Sequence, residues 1–232
     1  KLKVYCARGG LRSQLTLRFL CFSGFDVEIF PGGYKAYRVK VLKSIERLSQ
    51  HSLLVLNGKT GVGKTKLIKK LQSKKIPAID LEGLANHKGS AFGDLGNLSK
   101  KTTQQDFENR LSLAYQRVCH HQKIILEIEN NLGSVCVPYQ LQKAIRLSPM
   151  VYLDRDMEER IDILTKDYLV NWTDNSESVF IERLSWLKKS VAREDLIKIQ
   201  KAVVEKRFRF VAKELLRLRY DRCYEKSLRR YK

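Results

Sequence analysis

Two short stretches of this chain carry residue types at spacings that can do chemistry. Gly58-Lys59-Thr60-Gly61-Val62-Gly63-Lys64-Thr65 fits the pattern G-x-x-x-x-G-K-[ST]. Glycines at these positions let the backbone curl so that successive N–H groups face one anion. Lys64 then adds a charge that can bridge phosphate oxygens. Thr65 offers a hydroxyl for Mg²⁺, and the helix it opens adds the positive end of its dipole. The pattern points to phosphate binding and does not by itself imply ATP hydrolysis. Its context supports it, because a strand-like run, Leu53–Leu56, precedes it and a helical one, Lys66–Gln72, follows.

The second stretch is Cys6-Ala7-Arg8-Gly9-Gly10-Leu11-Arg12-Ser13, placed between a short strand and a helix. A thiol above backbone amides, at a helix N-terminus and near Arg8 and Arg12, is set up to ionise, and the thiolate is the nucleophile. Two chemistries use such C-x(5)-R loops: chalcogen transfer of the rhodanese kind and phosphoester hydrolysis. Phosphatases also need a general acid, and none stands out here. The bland alternative is a buried cysteine at a strand end.

Around the phosphate motif, carboxylates that could complete a Mg²⁺ site fall at two strand ends, Asp80 and Glu82 in one case and Glu127 or Glu129 in the other. Each could equally be a solvated strand-end charge. The glycine-rich stretch Leu84–Lys100 has no period and reads as an active-site loop. Within it, His87, Lys88 and Ser90 are candidate ligand contacts.

Alternating strand and helix patterns position these residues. Strands are expected at Leu2–Tyr5, Phe25–Phe30, Leu53–Leu56, Pro77–Asp80, Lys123–Ile128 and Met150–Leu153, and helices at Gln14–Phe22, Tyr34–Ser49, Thr65–Gln72 and Gln104–His121. Beyond Leu153 the pattern is helical to the end. The expected fold is α/β, a P-loop NTPase-like parallel sheet with an α-helical C-terminal tail, preceded by a partial α/β segment.

Lys and Arg number 45 against 25 Asp and Glu, a formal charge of +20, which favours a polyanionic partner. The excess is uneven. Residues 182–232 hold 17 Lys/Arg and 7 Asp/Glu, while 151–181 hold 3 and 8, so the basic surface is expected on the last helices. None of the five cysteines forms a C-x-x-C pair, so neither a zinc site nor a disulfide framework is expected. No apolar run approaches the roughly 18 residues of a membrane span, and no leader pattern opens the chain. The expectation is a cytoplasmic protein.

Taken in order, the motifs become specific. Val4-Tyr5-Cys6-Ala7-Arg8-Gly9-Gly10-Leu11-Arg12-Ser13-Gln14 and Gly32-Gly33-Tyr34-Lys35-Ala36-Tyr37-Arg38 resemble the end of a rhodanese domain and its connecting helix. With Gly58–Thr65, the stretch Asp80-Leu81-Glu82-Gly83-Leu84-Ala85-Asn86-His87-Lys88-Gly89-Ser90-Ala91-Phe92-Gly93, and the tail Tyr220-Asp221-Arg222-Cys223-Tyr224, the chain resembles the bacterial tRNA 2-selenouridine synthase family. The stretch 127–133 matches that family only loosely. The resemblance implies two substrates besides tRNA: geranyl diphosphate, which alkylates a wobble 2-thiouridine, and selenophosphate, which replaces the sulfur. It implies that Cys6 serves the selenium step. It divides the chain into the end of a rhodanese-like domain (1–33), a connecting helix (34–50), a P-loop domain (51–153) and a basic helical region (154–232). Only about 50 residues precede the P-loop strand, against about 100 or more for a rhodanese domain. A second polypeptide supplying the N-terminal rhodanese half is therefore expected, unless the chain is a piece of a longer one. The alternatives are a small-molecule or nucleoside kinase, with Asp154–Arg160 as a lid, and an RNA-binding module whose P-loop gates binding.

Overall fold

The run Leu53, Val55, Leu56 is buried on both sides, as a central strand of a parallel sheet should be. In the computed structural model, which describes residues 1–87, 102–129, 131–170, 172 and 176–228, this run forms β3 (Ser52–Asn57). It lies between β5 (Lys123–Glu127) and β8 (Met150–Tyr152), and β4 (Ala78–Ile79) pairs with the far side of β5. All pairings in this four-stranded sheet are parallel. The strand order is β4-β5-β3-β8, so the strand leading into the phosphate loop neighbours β5 rather than β4.

Helices cover both faces. On one, α3 (Lys64–Ser73) sets Ile68 against Leu56 and Ala78. On the other lie α2 (Gly33–Gln50), α5 (Gln104–Val118) and α6 (Tyr139–Leu147). Val41, Ile45 and Leu48 of α2, spaced three or four apart, join Phe107 and Leu111 of α5 and Leu141 and Ile145 of α6 in the main core. Arg38 ties α2 to α5 through Glu108 and through Asn109 at 2.6 Å. The five-residue helix α4 (Leu81–Ala85) follows β4, and a hairpin of β6 (Asn131–Leu132) and β7 (Val135–Cys136) follows β5.

The N-terminal segment is a small unit of its own. β1 (Leu2–Val4) and β2 (Val27–Ile29) pair in parallel, with α1 (Leu11–Phe22) as the crossover. Much of its apolar surface faces outward: Leu11, Phe19 and Phe22 are 76%, 69% and 94% exposed. After β8 come α7 (Met157–Leu169), α8 (Ser176–Leu184), a 3₁₀ turn at Ser185–Lys189, α9 (Arg193–Val204) and α10 (Phe208–Leu215). One turn of π helix, Leu216–Tyr220, joins α10 to α11 (Asp221–Leu228) without a break. These helices enclose a second core around Phe180, Ile199, Val211 and Leu215. No helix among the described residues is long and apolar enough to cross a membrane.

The mixed α/β class, the parallel sheet and the helical C-terminus match the sequence reading. Boundaries differ in places. α1 starts at Leu11, three residues before the expected Gln14, because Gly10 in an extended conformation already serves as its N-cap. Leu84 and Ala85 belong to α4 rather than to a loop, since the Asp80 side chain caps that helix at the Gly83 amide. Of the expected loop, residues 88–101 lie outside the described residues. The β6–β7 hairpin and α6 have no counterpart in the sequence reading.

Candidate active site: a phosphate loop, a carboxylate chain and a thiol loop

Residues 58–65 curl between β3 and α3 as the glycine spacing requires. Gly58, Gly61 and Gly63 take φ of 151°, 83° and 90°, backbone conformations that L side chains rarely adopt. A Cβ on Gly58 would also come within 2.6 Å of the Leu153 carbonyl oxygen, so the loop is pressed against the end of β8. Lys64 reaches back along the loop, and its Nζ donates to the Gly58 carbonyl at 2.9 Å. Its ammonium thus sits at the rim of the curl. Lys59 pairs at 4.0 Å with Glu225, while Val62 is buried.

Thr65 begins a chain of acidic groups. Its Oγ1 donates to Glu82 Oε2 at 2.7 Å, and the Glu82 amide donates to Glu127 Oε1 at 3.1 Å. The strand order explains this meeting. β5 lies directly beside β3, so Glu127 ends up next to the loop, and α4 swings Glu82 in from the β4 side. Both carboxylate positions named from the sequence thus converge, except that Asp80 is spent capping α4. Glu127 is fully buried, and its Oε2 has no hydrogen-bond partner among the described residues. Burial, and then the neighbouring Glu82, push its carboxyl up to about 9. Burial raises Glu129 as well, with Glu82 adding to the effect and Lys64 opposing it. Among the described residues no group of three or more His, Cys, Asp or Glu side chains is arranged to hold a metal ion. Mg²⁺ does not require such a cage, being held ordinarily by one or two carboxylates together with substrate phosphates. Thr65 and Glu82 offer that donor set.

His87 sits just past Asn86, the left-handed C-cap of α4, and its amide donates to the Glu82 carbonyl at 3.1 Å. Its imidazole packs on the β6–β7 hairpin, where a Cβ on Gly133 would come within 2.8 Å of Nε2. Lys88 and Ser90 lie outside the described residues.

The thiol loop is built on the first turn of α2. The amides of Tyr34 and Lys35 donate to the carbonyls of Cys6 and Ala7, each at 2.9 Å. Gly33, at φ 60°, lets the two backbones touch, since a Cβ there would fall on the Cys6 carbonyl oxygen and the Gly9 amide. The Gly10 amide donates to Cys6 Sγ at 3.3 Å, and Ser13 Oγ lies 3.4 Å from the sulfur. The thiol is lowered to about 6, first by the Ser13 hydroxyl and then by the Arg8 backbone, with burial opposing. The Ser13 hydroxyl also donates to the Gly10 carbonyl at 2.8 Å, and it must turn to the sulfur when the thiolate forms. Arg8 and Arg12 have exposed side chains, and neither guanidinium is among the causes of the shift. Arg8 acts through its backbone.

Sequence reading missed a frame of side chains behind the phosphate loop. Arg155 Nε donates to the Val62 carbonyl at 3.0 Å, and Arg160 Nε to the Thr60 carbonyl at 2.9 Å. Arg160 is buried and forks onto Asp221, so the segment weighed as a kinase lid is fastened to the loop's outer side. Asn57 Oδ1 accepts from the Gly58 amide and from the Tyr224 hydroxyl.

A family model described as the tRNA 2-selenouridine synthase AAA domain matches residues 51–232, which includes the loop, the carboxylate chain and this frame. The chain belongs to the tRNA 2-selenouridine synthase family. A tRNA 2-selenouridine synthase of Pseudomonas syringae pv. syringae is 41% identical over 172 residues, covering 72% of this chain and 45% of the relative. Those of Shewanella denitrificans and Nitrosomonas eutropha are 38% identical over 185 residues and 37% over 172, covering 78% and 72% of this chain and 48% and 44% of the relatives. The chain therefore spans about half the length of the tRNA 2-selenouridine synthases it matches. No solved structure matches it.

Proposed function

We propose that this chain is the diphosphate-binding part of a tRNA-modifying transferase that makes 2-selenouridine, as the relatives' name states of them. In this reading the exocyclic sulfur on C2 of a wobble 2-thiouridine attacks C1 of geranyl diphosphate as the N3 proton is lost. The C–S bond forms as the C–O bond breaks, and the electron pair leaves with diphosphate. The selenium of selenophosphate then attacks C2, the C–S bond breaks and geranylthiolate leaves with its electron pair to be protonated, alkylation having made it the better leaving group. Water cleaves the remaining Se–P bond to release phosphate. The observation that carries the reading is the curled 58–65 loop with the Lys64 ammonium at its rim. A leaving diphosphate gathers charge where such amides and an ammonium stabilise it most. Thr65 and Glu82 would hold Mg²⁺, which when bound would neutralise part of that charge.

Cys6, with its thiol lowered to about 6, suits the selenium step as a nucleophile. The outward apolar face of α1 offers a surface for a complementary rhodanese-type segment. The basic helices after residue 181 suit the tRNA backbone.

The test is mass spectrometry of nucleosides from 2-thiouridine tRNA incubated with the chain, geranyl diphosphate and selenophosphate, with a rhodanese-type segment added in one arm. Lys64→Ala should cut geranylation about 10²–10³-fold, the usual loss when one charge-stabilising group is removed. Cys6→Ala should leave geranylation intact and abolish selenouridine. Full geranylation by Lys64→Ala would sink the reading. Consumption of ATP in place of geranyl diphosphate would favour a kinase.

A further inference from the structure

The tail motif Tyr220–Tyr224 has no part in the chemistry above, yet the structure places it against the phosphate loop. Asn57, buried at the end of β3, accepts with one Oδ1 from the Gly58 amide at 2.7 Å and from the Tyr224 hydroxyl at 3.2 Å. The first amide of the loop and the C-terminal helix therefore share one acceptor. Arg160 makes the second link, donating to the Thr60 carbonyl at 2.9 Å and to Asp221 Oδ2 at 3.0 Å. Lys59 and Glu225 make a third, at 4.0 Å. Asp221, Tyr224 and Glu225 stand at i, i+3 and i+4 of α11, so one helix face carries all three contacts.

Arg160 and Arg155 take up carbonyls of Thr60 and Val62, and a peptide whose carbonyl is held outward turns its neighbouring N–H inward. Burial raises the Tyr224 hydroxyl above its usual value, which keeps it a donor.

We propose that Tyr224, acting through Asn57, and Asp221, acting through Arg160, are positioning residues that set the anion-binding curl of residues 58–65. The tail helix is thus a latch on the loop, separate from any role in holding RNA. This inference rests on the phosphate-binding reading of the loop.

Titration calorimetry of the full chain with inorganic pyrophosphate tests it, with thermal melting and tRNA binding measured in parallel. Tyr224→Phe removes one hydroxyl and little volume. It should weaken pyrophosphate binding roughly five- to tenfold, the value of one hydrogen bond, while melting temperature and tRNA affinity stay at wild-type values. Asp221→Asn, which keeps an acceptor for Arg160, should weaken it less than Asp221→Ala does. Wild-type pyrophosphate affinity in Tyr224→Phe, with binding still lost in Lys64→Ala, would overturn the latch and leave the phosphate-binding reading standing. In Tyr224→Phe, an affinity loss that comes only with a matching loss in melting temperature would overturn it too. A wild-type chain that binds no pyrophosphate would bring down the reading and the latch together.

Discussion

The phosphate loop and the thiol loop are both tight turns between a strand and a helix, but they are housed differently. The phosphate loop emerges from a central strand with helices on both faces of its sheet, and Arg155, Arg160, Asn57 and Tyr224 hold its outer side. The thiol loop rests on a two-stranded sheet with an outward apolar helix, and its donors are its own amides and the Ser13 hydroxyl. One site owes its shape to contacts from distant parts of the chain. The other owes it to a few neighbouring residues and the first turn of α2.

The largest effect is expected at the C-terminus. Asp221→Ala leaves the Arg160 guanidinium buried without its carboxylate, which should cost about 3–5 kcal/mol in urea unfolding. A loss below about 1 kcal/mol would mean that the frame is ornamental.

Next in size is a pH effect on the carboxylate chain. The Glu127 proton is held up to about 9 in the folded protein, against the ordinary 4.5. Between those values the folded state binds more protons than the unfolded one. This contribution is full below the lower value and fades as pH rises through the upper one. The melting temperature should therefore fall from about pH 5 to about pH 9, and Glu127→Gln should flatten the fall. Parallel curves for the two proteins would place the proton elsewhere.

Smaller still is the effect expected at the thiol. Iodoacetamide alkylation of Cys6 should rise with a midpoint near 6, and Ser13→Ala should move that midpoint up toward 9. If the midpoint does not move, the amides alone hold the thiolate. The smallest effect belongs to Phe22, which is 94% exposed. Phe22→Ser should change the chain's stability by no more than about 0.5 kcal/mol, the norm for exposed positions, in contrast to any apolar residue behind the phosphate loop.

What was legible in the sequence follows the same division. The β3-loop-α3 unit and the thiol loop announce themselves because their information is local: glycines at fixed offsets, a strand before and a helix after. The meeting of Glu82 with Thr65 and with Glu127 was half legible, since both strand ends could be named but not the strand order that joins them. α4 escaped because five residues are too few to show a period, and Asp80 therefore read as a ligand rather than a cap. Arg160 and Tyr224 could be named, one in the segment weighed as a lid and the other in the tail motif, but not placed against the loop, because their partners Thr60 and Asn57 lie 100 and 167 residues away. Arginines and tyrosines in a basic helical tail look like solvated or RNA-facing surface until the fold brings them home.

The π turn at Leu216–Tyr220 now takes on a consequence for the length of the chain. A π turn holds one residue more than an α turn, and each residue of a helix advances the face by about 100°. Losing a single residue from that turn would leave α10 seated in its own core and swing Asp221 and Tyr224 by about that angle, away from Arg160 and Asn57. The tail therefore tolerates exchange of its exposed side chains far better than a change in its count.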